Sequence, residues 1–406
     1  MNKEECTNRE ECTKEECNKR HSIQFKRLVS PIFLDVVKYL NIDIRPKGSK
    51  SDLILYDGIC KIEKYHSIDP SIYLTKIPGL NEICKKSFVF KRVISFCEKS
   101  GKKLFFPKTY IHPEKIDPKF FEEVREDTTL IFKPDSGYGG KGIILCRGPK
   151  QIEKVYKENF VQNGVFQQYV DPKLSNKHKF DLRIFLLIAK LEPLTLFIYK
   201  EGSARFCLHE YDSTNNKDFF DLYSHLTSVS INSKGKEADK FTFIKKYSET
   251  IKNITDKEEQ RKKIWDGIKE LAKNAILALK DDLLDKAEKA CNQNDFEYKN
   301  GSDENSPIDF KERFFHMLGI DVLIDSQLNP LLLEINDNPG IRSFSNIDTD
   351  IKENLVKDEI ELIYKYIKKE EEEIKVGGWE MILGKLIKNS NCDDTCLIDN
   401  QANMIP

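Results

Sequence analysis

The stretch IDVLIDSQLNPLLLEIN, residues 320–336, decides the fold of this chain. Two apolar runs surround an Asn-Pro turn signal, a pattern that predicts a β-hairpin. Side chains alternate between the faces of a strand, so Glu334 and Asn336 point the same way and the hairpin brings Asp321 beside them. Two carboxylates and an amide oxygen on one sheet face suit Mg²⁺. The alternative, acidic residues that merely flank buried strands, is weakened because an unpaired charge inside the run Leu331–Ile335 is costly.

A glycine-rich turn, DSGYGGKG at residues 135–142, separates the predicted strands Thr129–Pro134 and Ile143–Cys146. Glycine permits positive φ and close backbone approach, so the amides of such a turn can cradle phosphate oxygens. Lys133 and Lys141 add positive charge. The segment lacks the Gly-Lys-Ser/Thr ending of a P-loop, and alone it is weak evidence. Together with the acidic hairpin it favours a nucleotide site.

A polar row, Lys179, Asp181 and Arg183, shares one face of the strand that continues as Ile184–Ala189. The row is compatible with an ordinary solvated edge. However, the apolar continuation predicts burial on both faces, and charges entering a buried strand favour a lined cleft. Arg183, and Arg205 on a later strand, are suited to gripping a carboxylate with paired hydrogen bonds.

Composition and charge narrow the classes of partner. The chain has 406 residues, 39% hydrophobic and 33% charged, and 66 basic side chains nearly cancel 67 acidic ones, so net charge indicates no nucleic-acid partner. The apolar run Ile184–Ala189 is far shorter than the ~20 residues of a membrane span. The acidic N-terminus predicts no secretory signal. We therefore expect a cytoplasmic protein without a membrane partner, whose eleven cysteines are reduced thiols.

The pattern of apolar and turn residues predicts an organisation in five segments. These are a low-complexity Cys/Glu/Lys tail at 1–20, an N-terminal α/β lobe at 22–110, a central lobe at 111–170, a C-terminal lobe with the acidic hairpin at 171–375, and a polar tail at 376–406. Further predictions are helices at 81–99, 265–279 and 351–373, strands at 165–170, 181–189, 194–199 and 205–209 with a turn at Gly202, and loops at 232–263 and 291–308.

Cysteines repeat in the N-terminal tail. Cys6, Cys12 and Cys17 each end a Glu-Glu-Cys triplet, and His21 follows them. A metal site built from these thiols fits no zinc spacing, so a solvated tail is the favoured interpretation. Cys392 and Cys396 in the C-terminal tail are expected to be inert.

Several segments, taken in chain order, resemble the successive motifs of the tubulin tyrosine ligase-like family. They span about residues 76 to 345 and comprise Phe132–Pro134, Gly140–Ile143, Gln167–Val170, Lys179–Arg183, Tyr199–Phe206, His225–Thr227 and Leu333–Asn336. Several motifs in the order of the family identify that family far more specifically than any single motif does. The segment Pro78–Lys86 is closer to the glutamylating branch, whereas Ser228 stands where the family usually has asparagine.

The resemblance implies an α+β ATP-grasp fold that holds ATP between two antiparallel-sheet lobes. The implied nucleotide-binding residues are Lys133, Gly139, Gly140, Lys141, Gly142, Gln167, Gln168, Tyr169 and Val170, with Lys179 and Asp181 close to the nucleotide. The implied Mg²⁺ ligands are Asp321, Glu334 and Asn336. Arg183 and Arg205 are expected to hold the carboxylate of an incoming amino acid or the acceptor, completing a catalytic set with Lys179 and Asp181.

The implied activity is ATP-dependent ligation of an amino acid to a protein carboxylate through an acylphosphate. Glutamylation of the acidic C-terminal tails of tubulin or microtubules is the first expectation, with free glutamate as co-substrate and the cytoskeleton, including that of a cilium or basal body, as the location. Tyrosine or glycine addition, a degenerate microtubule-binding module and a small-molecule kinase stay open as alternatives. Lysine-rich stretches at 234–246 and 365–369 are candidates for meeting an acidic tail, although such runs are more often solvated faces.

Overall fold

We analysed a computed structural model of the chain. It describes residues 21–26, 29–56, 58, 64–113, 124–137, 139–212, 221–236, 238–291, 308–369 and 377–384. The predicted tail at 1–20, most of the predicted loop at 291–308, and Cys392 and Cys396 lie outside these residues. The segment boundaries drawn from the sequence therefore stay predictions.

The N-terminal part contains a parallel sheet followed by helices. Its elements are β1 Ser22–Lys26, α1 Pro31–Tyr39, β2 Asp43–Ile44, β3 Leu53–Tyr56, β4 Tyr73–Leu74, α2 Leu80–Ile83 and α3 Lys86–Ser100, with the strand order β2-β1-β3-β4. The helix predicted at 81–99 is thus divided by Cys84 and Lys85. Val89, Phe90, Val93 and Cys97 recur at helical intervals and are buried, and Gly101 ends α3 in the left-handed conformation.

A smaller antiparallel sheet carries the glycine-rich turn. Its elements are β5 Thr109–His112, β6 Thr129–Pro134, β7 Ile144–Arg147, α4 Gly148–Glu158 and β8 Gly164–Gln168, in the strand order β5-β8-β6-β7. The strands predicted from the sequence agree with β6, β7 and β8 to within two residues. Phe132, Cys146, Ile152 and Phe166 fill the space between this sheet and α4.

A larger antiparallel sheet forms the centre of the molecule. Its elements, with the helices between them, are β9 Leu174–Ser175, β10 His178–Leu191, β11 Leu194–Glu210, α5 Leu222–His225, α6 Val229–Asn232, β12 Ile244–Lys246, α7 Tyr247–Ile254, α8 Glu258–Leu277, α9 Lys280–Cys291, α10 Phe310–Arg313, β13 His316–Ile324, β14 Pro330–Asn336, α11 Asn346–Lys368 and β15 Trp379–Leu383. The main strand order is β12-β11-β10-β13-β14, with β15 on β11 and β9 on β10. The antiparallel pairing of β13 with β14 confirms the predicted hairpin.

Both faces of the larger sheet are covered, as the apolar run in β10 predicts. Ile184, Leu186 and Ile188 enter a core with α3, α8 and α9, whereas Phe185, Leu187 and Ala189 enter a second core with α1 and α11. The apolar stripe of α8 belongs to the first of these cores. No helix in the described part of the chain is both long and apolar enough to cross a membrane.

The predicted turn at Gly202 is wrong. β11 runs unbroken from Leu194 to Glu210, and Gly202 lies inside it, paired with Ile184 of β10. A Cβ at position 202 would collide with the backbone carbonyl of Arg183. The glycine is therefore needed for close contact between two strands rather than for a change of direction.

Other boundaries predicted from the sequence also change. The segment 232–263, predicted as loop, contains β12, α7 and the start of α8, because Ile244, Tyr247, Ile251 and Ile254 are buried beneath its lysines. Trp379–Leu383, assigned to a polar tail, is a strand paired with β11. The last helix begins at Asn346 with Ser345 as its cap and ends at Lys368, five residues earlier at each end than predicted.

Candidate functional site

A cleft of about 470 Å³ lies between the two antiparallel sheets, a size typical of ligand pockets. It is lined by these residues predicted from the sequence: Lys133, Gly139, Gly140, Lys141, Gln167, Gln168, Tyr169, Val170, Lys179, Asp181, Arg183, Arg205, Asp321, Glu334 and Asn336. Gly142, also predicted, is not among the lining residues. Its φ is 75° and a Cβ there would lie 2.9 Å from Cγ of Pro134, so it shapes the turn itself.

The glycine-rich turn approaches α6 closely. Gly139 and Gly140 have φ of 64° and 82°. A Cβ on Gly140 would lie 2.5 Å from Cδ1 of Ile231, and one on Gly139 would lie 3.3 Å from the side chain of Ser230. Glycine is required at both positions by conformation and by space, which keeps side chains away from this part of the turn, whereas Lys141 of the same turn lines the cleft. Such a turn suits phosphate oxygens, which accept hydrogen bonds from backbone amides.

Lys133 is held by a buried hydrogen-bond chain. Its Nζ donates to Oε1 of Gln167 at 2.7 Å, and Nε2 of Gln167 donates to Oγ1 of Thr109 at 3.0 Å. Burial lowers the pKa of Lys133 to about 8, against the opposing effect of Glu334. Gln167 is fully buried. Its side chain therefore positions the lysine at the wall of the cleft.

A second lysine is anchored on Tyr169. Lys179 Nζ donates to the Tyr169 hydroxyl at 2.9 Å and lies 4.4 Å from the centre of the ring. The same hydroxyl is hydrogen-bonded to Nδ1 of His225 at 2.8 Å. Burial lowers the pKa of Lys179. Two buried lysines thus border the cleft between the sheets, where each is fixed by a neutral side chain.

Cross-strand pairing aligns two arginines with two aspartates. Arg205 lies opposite Asp181 across β10 and β11, and donates to both carboxylate oxygens at 2.8 and 2.5 Å. Arg183 lies opposite Asp321 across β10 and β13, with Nε 2.5 Å from Oδ1. Arg205 also contacts Asp321 at 2.7 Å. Burial alone would raise the pKa of Asp321, but the two arginines outweigh it and hold that pKa well below its usual range.

The acidic hairpin presents the predicted oxygen ligands together. Asp321 is paired with Glu334 across β13 and β14, and Nδ2 of Asn336 donates to Oε1 of Glu334 at 3.0 Å. Lys86, at the start of α3, lies 3.2 Å from Oε2 of Glu334. Among the described residues, no group of three or more His, Cys, Asp or Glu side chains could hold a metal. Two carboxylates and an amide oxygen fit Mg²⁺, which takes its remaining ligands from water and substrate phosphates.

The cleft is also lined by Lys86 and Thr227, which lie in segments that resemble the family but were given no role from the sequence, and by Asp348 and Lys352, which were not predicted. Thr227 donates to Oδ2 of Asp181 at 2.8 Å. The sequence did contain a signal for Asp348 and Lys352. The apolar stripe of the final helix extends back from Val356 in steps of four, and these steps place Lys352 and Asp348 on the inward face.

Comparison with known proteins gives a consistent result. The sequence model of the tubulin-tyrosine ligase family matches residues 66–373. Tubulin polyglutamylase ttll6 of Danio rerio is 29% identical over 328 residues, covering 79% of this chain and 40% of that protein. Tubulin polyglutamylase TTLL7 of Mus musculus is 28% identical over 77% of this chain and 34% of its own length. A probable beta-tubulin polyglutamylase of Tetrahymena thermophila is 25% identical over 77% of this chain and 26% of its own. The chain thus spans less than half the length of these relatives.

Proposed function

The chain belongs to the tubulin-tyrosine ligase family by its match over residues 66–373, and on this basis we propose that it is an ATP-dependent ligase that joins glutamate to a carboxylate of an acidic tubulin tail. The similar proteins named as tubulin polyglutamylases support the choice of glutamate and tubulin. The proposal depends on one observation. The candidate metal ligands Asp321, Glu334 and Asn336 line the same cleft as Lys133 and Lys179.

The proposed nucleotide site is of the ATP-grasp kind. ATP would lie between the β6–β7 hairpin and the larger sheet, with its phosphates toward the glycine-rich turn and the acidic hairpin. Steric restriction at Gly139 and Gly140 supports this placement, because a turn confined to glycine leaves its backbone open to phosphate. Asp321, Glu334 and Asn336 would hold Mg²⁺, which when bound neutralises phosphate charge during phosphoryl transfer.

The lysines would act as fixed electrostatic groups. Gln167 and Tyr169 hold Lys133 and Lys179 in place before any ligand arrives. Charges that need no reorganisation stabilise developing negative charge more effectively than mobile ones. We assign to both lysines the stabilisation of the transferred phosphoryl group, and to Lys86 a place beside Glu334 at the same end of the cleft.

The proposed chemistry has two steps. An oxygen of the acceptor carboxylate attacks the γ-phosphorus of ATP, the bond to the β–γ bridging oxygen breaks, and ADP leaves with the electron pair. The deprotonated amine of glutamate then attacks the acyl carbon of the acylphosphate, and inorganic phosphate leaves as the amide forms. Activation is needed because a free carboxylate is a poor electrophile. Arg183 and Arg205 would orient a substrate carboxylate for the second step.

The test uses the full chain, purified, with ATP, Mg²⁺, polymerised tubulin and one isotope-labelled amino acid at a time. We expect label from glutamate, found by mass spectrometry in tubulin C-terminal peptides, together with release of ADP and phosphate. Incorporation of tyrosine or glycine alone would replace glutamate in the proposal. ATP binding without ATP consumption would favour a non-catalytic microtubule-binding module. Such an enzyme would act at the cytoskeleton, and immunolocalisation to cilia or basal bodies would refine the site of action.

A further inference from the structure

The N-terminal turn of α11 and the segment before it build one end of the cleft. Phe344, Asp348 and Lys352 line this end. Ile244 of β12, which also lines the cleft, is paired with Arg205 of β11. An ion pair of 2.5 Å between Lys246 and Asp350 joins β12 to α11. Lys352 is therefore enclosed close to the two arginines that border the cleft.

Lys352 keeps one hydrogen-bond donor for the cleft. Its Nζ donates to the carbonyl oxygen of Arg342 at 2.7 Å and to Oδ2 of Asp348 at 2.8 Å. An ammonium group has three N–H donors, and the third meets no acceptor among the residues that the structure describes. The residue is only 5% exposed. A buried donor without an acceptor is costly, so a ligand that supplies one gains the corresponding free energy.

The neighbouring carboxylates are already engaged. Asp348, itself buried, accepts the backbone N–H of Phe344 at 3.0 Å in addition to the bond from Lys352. Asp181 and Asp321 are engaged by the two arginines. Burial lowers the pKa of Lys352 against the opposing effect of Asp348, and electrostatic repulsion from Arg183 and Arg205 lowers it further. An anion placed at this end of the cleft would relieve that repulsion.

The ring of Phe344 forms an apolar surface beside the ammonium group of Lys352. Phe344 is 63% exposed, and its ring centre lies 5.5 Å from Nζ of Lys352. Aromatic rings attract ammonium groups and also offer a surface for methylene groups. A ligand with a short aliphatic stem and a terminal carboxylate would satisfy both Phe344 and Lys352.

We propose that Lys352 is a specificity-determining residue that binds a second carboxylate of the incoming amino acid, so that the cleft selects acidic over neutral amino acids. The inference rests on the proposed ligase function and assigns the substrate's other carboxylate to Arg183 and Arg205. A dicarboxylic amino acid such as glutamate then bridges the arginine pair and the lysine, with Phe344 along its methylene groups.

The experiment compares glutamate with glutamine, which differ only in the terminal group. For Lys352→Met, we expect kcat/KM for glutamate to fall roughly 10- to 100-fold, the range for loss of a charge-assisted hydrogen bond, while KM for ATP stays unchanged. The preference for glutamate over glutamine should fall by the same factor. A purely structural role for Lys352 would lower both rates together and leave their ratio intact.

Two further variants keep the test decisive. Lys357→Met is the matched control, since this lysine is on the same helix with its ammonium over Tyr39, and it should retain the wild-type preference. Lys352→Met could fail to fold because it leaves the buried carboxylate of Asp348 without its cation. The double variant D348N/K352M removes both charges together and avoids this cost. Wild-type preference in either folded Lys352 variant overturns the inference. Absence of ligation in the wild-type chain would instead count against the proposed function.

Discussion

Nζ of Lys133 donates a hydrogen bond of 2.7 Å to the side-chain carbonyl of Gln167, and both groups are buried at the base of the cleft. A lysine is a flexible point charge, and this bond fixes its position. Thr109 completes the arrangement by accepting from Gln167 at 3.0 Å. The family resemblance implies that Gln167 binds the nucleotide, and its contact with Lys133 indicates that it acts by positioning that lysine.

Gln167→Leu should raise KM for ATP by roughly 10-fold, because a hydrogen bond to a charged group contributes about 1.5–3 kcal/mol and part of it is replaced by water. Steady-state ATP consumption measures the change. Gln162→Leu, an exposed substitution in the loop before β8, serves as the control. If Gln167→Leu keeps the wild-type KM, Lys133 does not depend on this contact.

Glu334→Gln should reduce turnover by at least about 100-fold, because it removes one negative charge from the candidate Mg²⁺ site, where even indirect substitutions cost 10–100-fold. Binding of Mn²⁺, followed by electron paramagnetic resonance, should weaken in parallel. Glu258→Gln at the exposed start of α8 is the matched control. Normal turnover in the Glu334 variant would contradict the metal assignment.

Arg205→Ala should destabilise the protein by about 3–5 kcal/mol, because it removes the buried cation paired with Asp181 and leaves Asp321 with Arg183 as its remaining ion-pair partner. Urea unfolding measures this loss, and KM for the amino acid should rise in the folded fraction. Arg125, whose side chain is 79% exposed, provides the comparison, since its replacement by alanine should change stability by less than about 0.5 kcal/mol. Equal unfolding midpoints for the Arg205 variant and the wild type would argue against a structural role for these pairs.

Glu359 should make a contribution to the free energy of unfolding that decreases as pH rises from about 4.5 to 8. Burial raises the pKa of this carboxyl to about 8, only partly offset by Lys76, and Oε2 has no hydrogen-bond partner among the described residues. In this window the folded state binds the proton that the unfolded state has lost, so ionisation works against folding as pH rises.

Glu359→Gln should reduce the slope of the free energy of unfolding against pH by up to about 1.4 kcal/mol per pH unit. Chemical denaturation at several pH values measures it. Glu353→Gln, an exposed change on the same helix, should leave the slope as it is. A variant at position 359 with the wild-type slope would show that another group titrates.

The sequence predicted those parts of the site that depend on local pattern. Alternation and a turn signal were enough to place Asp321, Glu334 and Asn336 together, because a short hairpin leaves little freedom of register. Pairing of Arg183 with Asp321 could not be predicted, since it depends on the register between strands more than a hundred residues apart. The role of Gly202 was misassigned for a similar reason. A glycine at a turn and one pressed against a neighbouring strand look alike until the partner strand is known.

The unbroken course of β11 has a mechanical consequence. If the chain turned at Gly202, the part of β11 that bears Arg205 would be a separate element from its apolar first half. Instead, the segment that bears Arg205 is continuous with residues held in both cores and flanked by β10 and β15. β11 therefore gives the cleft a continuous floor that is anchored in both cores of the larger sheet.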